Sequence, residues 1–165
     1  MSRKTKQLAE SVKREQLVKH IRKDLWPSLI GEYDSEYCYP WPYKMEIKSE
    51  RQVVRMRFMV DNEDEEIVPK RDWVWWVSLY IGHDSDADKN MYGLSTGTGG
   101  MRGLLLAKQM LIWFIVMKMD KGQKIVVHPY DSRRRKVYEK VLTELGFFKC
   151  KYMKMNSFMF KKDWE

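Results

Sequence analysis

The sequence contains few residues of the kinds that bind metals or form disulfide bonds. Its 165 residues include two cysteines and three histidines. Cys38 and Cys150 are far apart and lack the spacing of a zinc site. The acidic segment Asp84–Asp88 resembles the start of a calcium loop, but Lys89 and Ser95 replace its glycine and glutamate. We therefore expect reduced thiols, no metal centre and a cytoplasmic protein.

Long apolar runs are also absent. The longest, Met110–Met117, is far shorter than the roughly 20 residues of a membrane-spanning helix. The N-terminal residues Met1–Lys6 lack the apolar stretch of a signal peptide. The sequence therefore predicts a protein that does not enter a membrane.

Positive charge is present in excess. The 31 lysine and arginine residues outnumber the 23 aspartate and glutamate residues, giving a net charge of +8. Such a protein attracts polyanions, and both nucleic acid and a phosphorylated cofactor meet that description. The densest basic cluster is Arg133–Lys136, at the start of a predicted helix. From this cluster we expect at most weak binding of nucleic acid.

The first 50 residues differ in pattern from the rest. Apolar residues recur at helical spacing between about Thr5 and Leu25, and Pro27 ends the predicted helix. Tyr37–Tyr43 is rich in aromatics and proline, so we expect an irregular segment. Residues 1–50 are thus predicted to pack on a main body formed by residues 51–165.

The main body alternates between strand and helix patterns. Trp73–Ile81 is apolar on both faces, which predicts a central strand. The predicted helices run from about Gly103 to Lys118, and from Asp131 or Ser132 to Leu145, with Gly146 as the C-cap. Further strands are predicted at Arg51–Val60, Met91–Thr96, Lys124–His128, Phe147–Met153 and Ser157–Lys162.

A glycine-rich loop precedes the first of these helices. Four glycines lie between Gly97 and Gly103, and strong helix formers follow directly. A helix N-terminus presents backbone N–H groups without intrahelical partners and the positive end of the helix dipole. This loop is therefore predicted to bind an anion such as phosphate, with Arg102 adding charge.

This order of elements, with the glycine-rich loop and the basic helix ending in Leu145-Gly146-Phe147, resembles the GNAT superfamily of N-acetyltransferases. The resemblance extends from about Gln52 to the C-terminus. It implies an α/β fold with a mixed, largely antiparallel central sheet flanked by helices, to which this chain adds an N-terminal helix. It also implies that acetyl-CoA, as co-substrate, lies between two parallel strands, Met91–Thr96 and Lys124–His128.

The resemblance implies a set of residues that contact acetyl-CoA. The strand before the loop would meet the acyl end, the loop amides would hold the pyrophosphate, and the basic helix would meet further phosphates. Thr98 and Met101 depart from the loop pattern usual in the superfamily. The implied contacts are Leu94, Ser95, Thr96, Gly99, Gly100, Met101, Arg102, Gly103, Leu104, Arg133 and Arg134.

Two residues are candidates for catalysis. Many members of the superfamily use a tyrosine to protonate the departing thiolate, but Leu142 occupies that position here. Tyr138 lies one helical turn earlier and is the candidate acid. His128 ends a strand of the implied gap and is the candidate base, because neutral imidazole accepts a proton near pH 7.

Two functions follow from these observations. The first is acetyl-CoA-dependent N-acetylation of an unidentified amine or protein acceptor. The alternative is a protein of the same fold that has lost catalysis and serves in binding or assembly, such as a phage virion component or a nucleic-acid-associated protein. The departures at Leu142 and in the glycine loop favour this alternative.

Overall fold

The described part of the chain forms an α/β structure around a seven-stranded, mostly antiparallel sheet. The computed structural model describes residues 14–33, 42–48, 53–61, 69–82, 100–129 and 132–165. Residues 14–18 are helical and are labelled α1. The other elements are β1 (Ile30–Tyr33), β2 (Tyr43–Lys48), β3 (Val53–Val60), β4 (Val74–Gly82), α2 (Gly100–Met117), β5 (Lys124–Val127), α3 (Ser132–Glu144), β6 (Phe148–Tyr152) and β7 (Met155–Lys161).

The sheet has the strand order β1-β2-β3-β4-β5-β7-β6. Every neighbouring pair is antiparallel except β4 and β5, which are parallel. The prediction of a central strand at Trp73–Ile81 is confirmed, since β4 occupies the middle of this order. Its side chains are buried on both faces: Val77 and Leu79 on one, Ser78 and Tyr80 on the other.

The described helices pack on one face of this sheet. Phe114 of α2 stacks on Phe58 of β3 with ring centroids 3.7 Å apart, and it meets the edge of Trp75 on β4. From α3, Tyr138 and Leu142 are buried in the same apolar cluster. This face therefore carries the main hydrophobic core, and the opposite face carries most of the polar side chains of β3 and β4.

The predicted parallel partner of β5 is wrong. β5 pairs with β4 on one side and with β7 on the other, so no edge of β5 is left for Met91–Thr96 along its paired length. The β4 partner is favoured because the apolar residues of both strands then lie side by side in the core. Met91–Thr96 itself lies outside the described residues.

The N-terminal helix ends earlier than predicted. The α-helix stops at residue 18 rather than near Leu25, and turns and a short 3-10 helix at Trp26–Ser28 follow. The side chain of Gln109 on α2 explains this change, because its carbonyl oxygen accepts hydrogen bonds from the backbone N–H of Arg22 and from Nε1 of Trp26. Its amide donates to the carbonyl of His20. These bonds replace helical ones and tie the N-terminal segment to α2.

Two strands were not predicted. β1 and β2 precede residue 51, yet they pair with each other and with β3 in the same sheet. β2 begins at Tyr43, the last residue of the segment expected to be irregular, and Pro42 before it is buried outside any strand. Tyr37–Trp41 lies outside the described residues. The sheet therefore continues across the boundary predicted at residue 50.

Both long helices begin close to their predicted positions. α2 starts at Gly100, three residues before the predicted start, and α3 starts at Ser132 as expected. Gly146 has a positive φ of 98°, which suits a glycine after the helix end. Among the described residues, no helix is long and apolar enough to cross a membrane.

Candidate functional site

The parallel strands β4 and β5 remain paired for only part of their length. Their pairing ends at Val77 and Val127. β4 continues beside β3 to Gly82, whereas β5 ends and Pro129 follows. Within the described residues, no strand pairs with β4 beyond Val77 on the β5 side. The described part of the sheet is therefore open at this point, between two strands that run in the same direction.

An apolar cavity of about 40 Å³ lies on the helix side of this opening. The sheet contributes Val77, Leu79 and Val127, while α2 and α3 form the walls. The cavity exists because two helices with bulky residues bridge strands that separate, so the side chains cannot fill the space completely. The remaining lining residues are Met56, Leu104, Ala107, Lys108, Leu111, Tyr138, Val141 and Leu142.

The candidate acid lies in this cavity. Tyr138 is buried on the inner side of α3 and forms part of the lining. Leu142, which occupies the position usual for the superfamily's tyrosine, lines the cavity one turn later. Helical spacing places both side chains on the same face of α3. Tyr138 therefore lines the same cavity as Leu142, although it stands one turn before the position usual for the tyrosine.

The candidate base lies on the opposite face of the sheet. Val127 lines the cavity, so the next residue, His128, points to the other side of the extended chain. Its Nδ1 lies 2.7 Å from the carbonyl oxygen of Asn156. Because a carbonyl only accepts, Nδ1 carries the proton, and Nε2 is the basic nitrogen of the neutral ring.

Tyr138 and His128 are therefore separated by the sheet. Within the described residues, no strand separates the two side chains at the opening between β4 and β5. The two residues can serve one reaction only if the reacting atoms lie in this opening. This geometry places Tyr138 on the helix side and His128 on the polar side.

The glycine loop agrees only partly with the predicted contacts. Gly100, Met101 and Arg102 lie in the first turn of α2, where backbone N–H groups lack intrahelical acceptors. Leu104 lies in the second turn, where its N–H donates within the helix and its side chain lines the cavity. Its predicted contact remains a prediction. Gly103 is buried within the helix.

The other predicted contacts remain predictions. Arg133 and Arg134 lie in the first turn of α3, but their side chains are not described. The remaining ones, which precede α2, lie outside the described residues: Leu94, Ser95, Thr96 and Gly99.

One charged side chain of the lining was not predicted. The stem of Lys108 borders the cavity, while its Nζ lies 3.2 Å from Nδ1 of His20. Since ammonium only donates, the imidazole nitrogen accepts and His20 is neutral in this arrangement. The pairing directs the charge of Lys108 away from the apolar lining. These residues are 88 positions apart, and no local pattern links them.

Acidification should weaken this contact. Burial lowers the pKa of His20 from its ordinary 6.5, and the nearby charge of Lys108 lowers it further. The unfolded chain then binds more protons than the folded one, so this stabilisation is present above pH 6.5 and lost as pH falls. In urea unfolding, His20→Gln should lose less stability than wild type between pH 7 and pH 5. Parallel pH curves for the two proteins would contradict this account.

The described side chains include no group of three or more histidine, cysteine, aspartate or glutamate residues placed to hold a metal ion. The features of the site are the opening between β4 and β5, its apolar cavity, and the tyrosine and histidine on its two sides.

No protein-family model, no curated protein and no solved structure matches this chain.

Proposed function

We propose that the protein binds acetyl-CoA and transfers its acetyl group to an amine, as its resemblance to the GNAT superfamily implies. The observation that supports this most is the parallel β4–β5 pair that separates beside an apolar cavity between α2 and α3. The resemblance requires a co-substrate held between two parallel strands. The described residues contain one such pair, and it is open.

The residues present suit the parts of acetyl-CoA. The apolar cavity matches the acetyl methyl group in size and polarity, but it is too small for the longer arm of the molecule. That arm would lie along β4 beyond Val77, past the end of the β4–β5 pairing. The phosphates would lie at the start of α2, near the exposed Arg102.

The proposed reaction is direct transfer. The lone pair of the neutral amine attacks the thioester carbonyl carbon, a C–N bond forms and the C–S bond breaks. Nε2 of His128 takes the proton that the amine loses, and the hydroxyl of Tyr138 gives a proton to the departing thiolate. The products are an amide and the free thiol of CoA.

The binding step is tested by filling the cavity. Ala107 is buried in its lining, and Ala107→Val adds two carbons in the space proposed for the acetyl group. We expect the affinity for acetyl-CoA, measured by isothermal titration, to fall at least tenfold. Val137→Leu is the control, because Val137 is exposed on α3, and it should change affinity less than twofold.

Wild-type binding also has a direct thermodynamic signature. A ligand at a hundred times its dissociation constant stabilises the folded state by about 2.7 kcal/mol. Unfolding of the wild type at saturating acetyl-CoA should show this gain. If the wild type shows neither heat of binding nor stabilisation, the proposed function is wrong.

A second candidate is a binding protein that retains the fold without turnover. Leu142, at the position usual for the tyrosine acid, favours it, since leucine cannot protonate a thiolate. This protein would bind acetyl-CoA or another ligand and release no free thiol with any amine. A thiol-release assay on protein that binds acetyl-CoA separates the two candidates.

A further inference from the structure

A second group of side chains lies on the polar side of the same opening. Trp76 of β4 and His128 stack with ring centroids 6.1 Å apart and an interplanar angle of 28°. Tyr152, at the end of β6, lies 5.9 Å from Trp76. Its hydroxyl donates a hydrogen bond to the carboxylate of Asp61, which follows β3. Two strands, β4 and β6, and the residues that follow β3 and β5 thus supply a single aromatic and acidic cluster.

The hairpin of β6 and β7 brings Tyr152 to this position. Its turn contains Met153 and Lys154, both with positive φ, a conformation that tightens a two-residue hairpin turn. Tyr152 lies directly before this turn and reaches over Trp76 to Asp61. The hairpin therefore places an aromatic ring over the polar face, beside the nitrogen base of His128.

The cluster has the features that recognise a cation. The faces of Trp76 and Tyr152 attract an ammonium group within about 6 Å of the ring centre. The carboxylate of Asp61 has more acceptor sites than the one bond from Tyr152 uses. Asp61 also starts the acidic run Asp61–Glu66, in a chain whose net charge is +8. Asp61 thus places a negative charge next to the aromatic rings.

We propose that this cluster is the acceptor site and that it takes a primary alkylammonium group, from either a polyamine or a lysine side chain. This proposal rests on the proposed function for the identity of the reaction, but binding of the amine does not depend on acetyl-CoA. Asp61 and the two rings hold the cation. One amine nitrogen then loses a proton to solvent and enters the opening as the neutral nucleophile, and Nε2 of His128 takes the second proton, which the nitrogen releases on attack.

Amine binding is measured by isothermal titration of the full chain at low salt, without acetyl-CoA. The probes are spermidine and Nα-acetyl-lysine amide. Asp61→Asn should weaken the binding of the recognised probe at least tenfold, because it removes the charge and keeps the shape. Tyr152→Phe should weaken amine binding severalfold, because the hydrogen bond from Tyr152 that holds the carboxylate of Asp61 in place is lost.

Glu32→Gln is the matched control for charge. Glu32 lies on β1, is exposed, and contacts only Lys44 at 3.7 Å among the ion pairs seen in the described residues. Its substitution removes the same charge at the other end of the sheet and should alter binding less than twofold. Equal losses in Asp61→Asn and Glu32→Gln would indicate general attraction of cations and overturn the proposal.

The outcomes distinguish this proposal from the proposed function. Binding of spermidine alone assigns a polyamine acceptor, and binding of the lysine amide assigns a protein or peptide acceptor. Binding of acetyl-CoA without binding of either amine overturns the acceptor site and leaves the proposed function intact. Binding of an amine that depends on Asp61, without binding of acetyl-CoA, supports the cation site and refutes the proposed function.

Discussion

Replacing His128 with asparagine should lower kcat for acetyl transfer by about 10² to 10⁴, the range typical for loss of a general base. The amide of asparagine can still donate to the carbonyl of Asn156, as Nδ1 of His128 does. The variant therefore retains the local hydrogen bond and loses the basic nitrogen. We expect its affinity for acetyl-CoA to stay within twofold of wild type, because His128 lies across the sheet from the cavity.

A measurement of stability separates catalysis from folding. The free energy of unfolding of His128→Asn should stay close to that of wild type while kcat falls. Tyr138→Phe is the companion variant on the cavity side, and it should also lower kcat. A His128→Asn enzyme with normal kcat would remove His128 from the reaction.

Replacing Gln109 with leucine should lower the free energy of unfolding by about 3 kcal/mol or more. Gln109 is fully buried on α2, and its amide makes hydrogen bonds to Arg22, Trp26 and His20. Leucine has a similar volume but no polar atoms, so three partly buried groups lose a partner. Each such loss costs about 1 kcal/mol.

Urea unfolding provides the measurement, and Gln16→Ala is the control. Gln16 also bonds the backbone, at Glu144, but in an exposed position, so its loss should cost about 0.5 kcal/mol or less. If Gln109→Leu costs no more than Gln16→Ala, then the N-terminal segment is not held to α2 by this amide.

Sequence patterns predicted the elements whose signal is local. The alternation of apolar and polar residues in Arg51–Val60 predicted β3. Trp73–Ile81 is apolar on both faces, which predicted the central strand β4. α3 and its glycine cap were also predicted, because capping residues and helical spacing lie close together in the chain. These features depend on the neighbouring residues more than on the rest of the fold.

Long-range contacts were predicted less well. β1 has four residues and includes Gly31, so it carries almost no strand signal of its own. The early end of α1 depends on Gln109, more than 80 positions away. The parallel partner of β5 depends on which strand fills the core beside it, and spacing in the sequence does not specify that choice.

The candidate site was also predicted in part. Tyr138 was identified from its place on α3, and the structure adds that it lines a cavity with Val77 and Val127. The period-two pattern of β4 could have identified Val77 as facing the helices. The cluster of Trp76, Tyr152 and Asp61 could not be found this way, because a hairpin turn brings its members together.

The most direct test of the central claim is where the acetyl group of acetyl-CoA binds. With an isotope-labelled acetyl methyl group, nuclear Overhauser contacts can be measured to the methyl groups of the protein. The proposed function predicts contacts to Val77, Val127 and Leu142, and their loss in Ala107→Val. Bound acetyl-CoA with contacts only to methyl groups outside the cavity, or no binding at all, would contradict it.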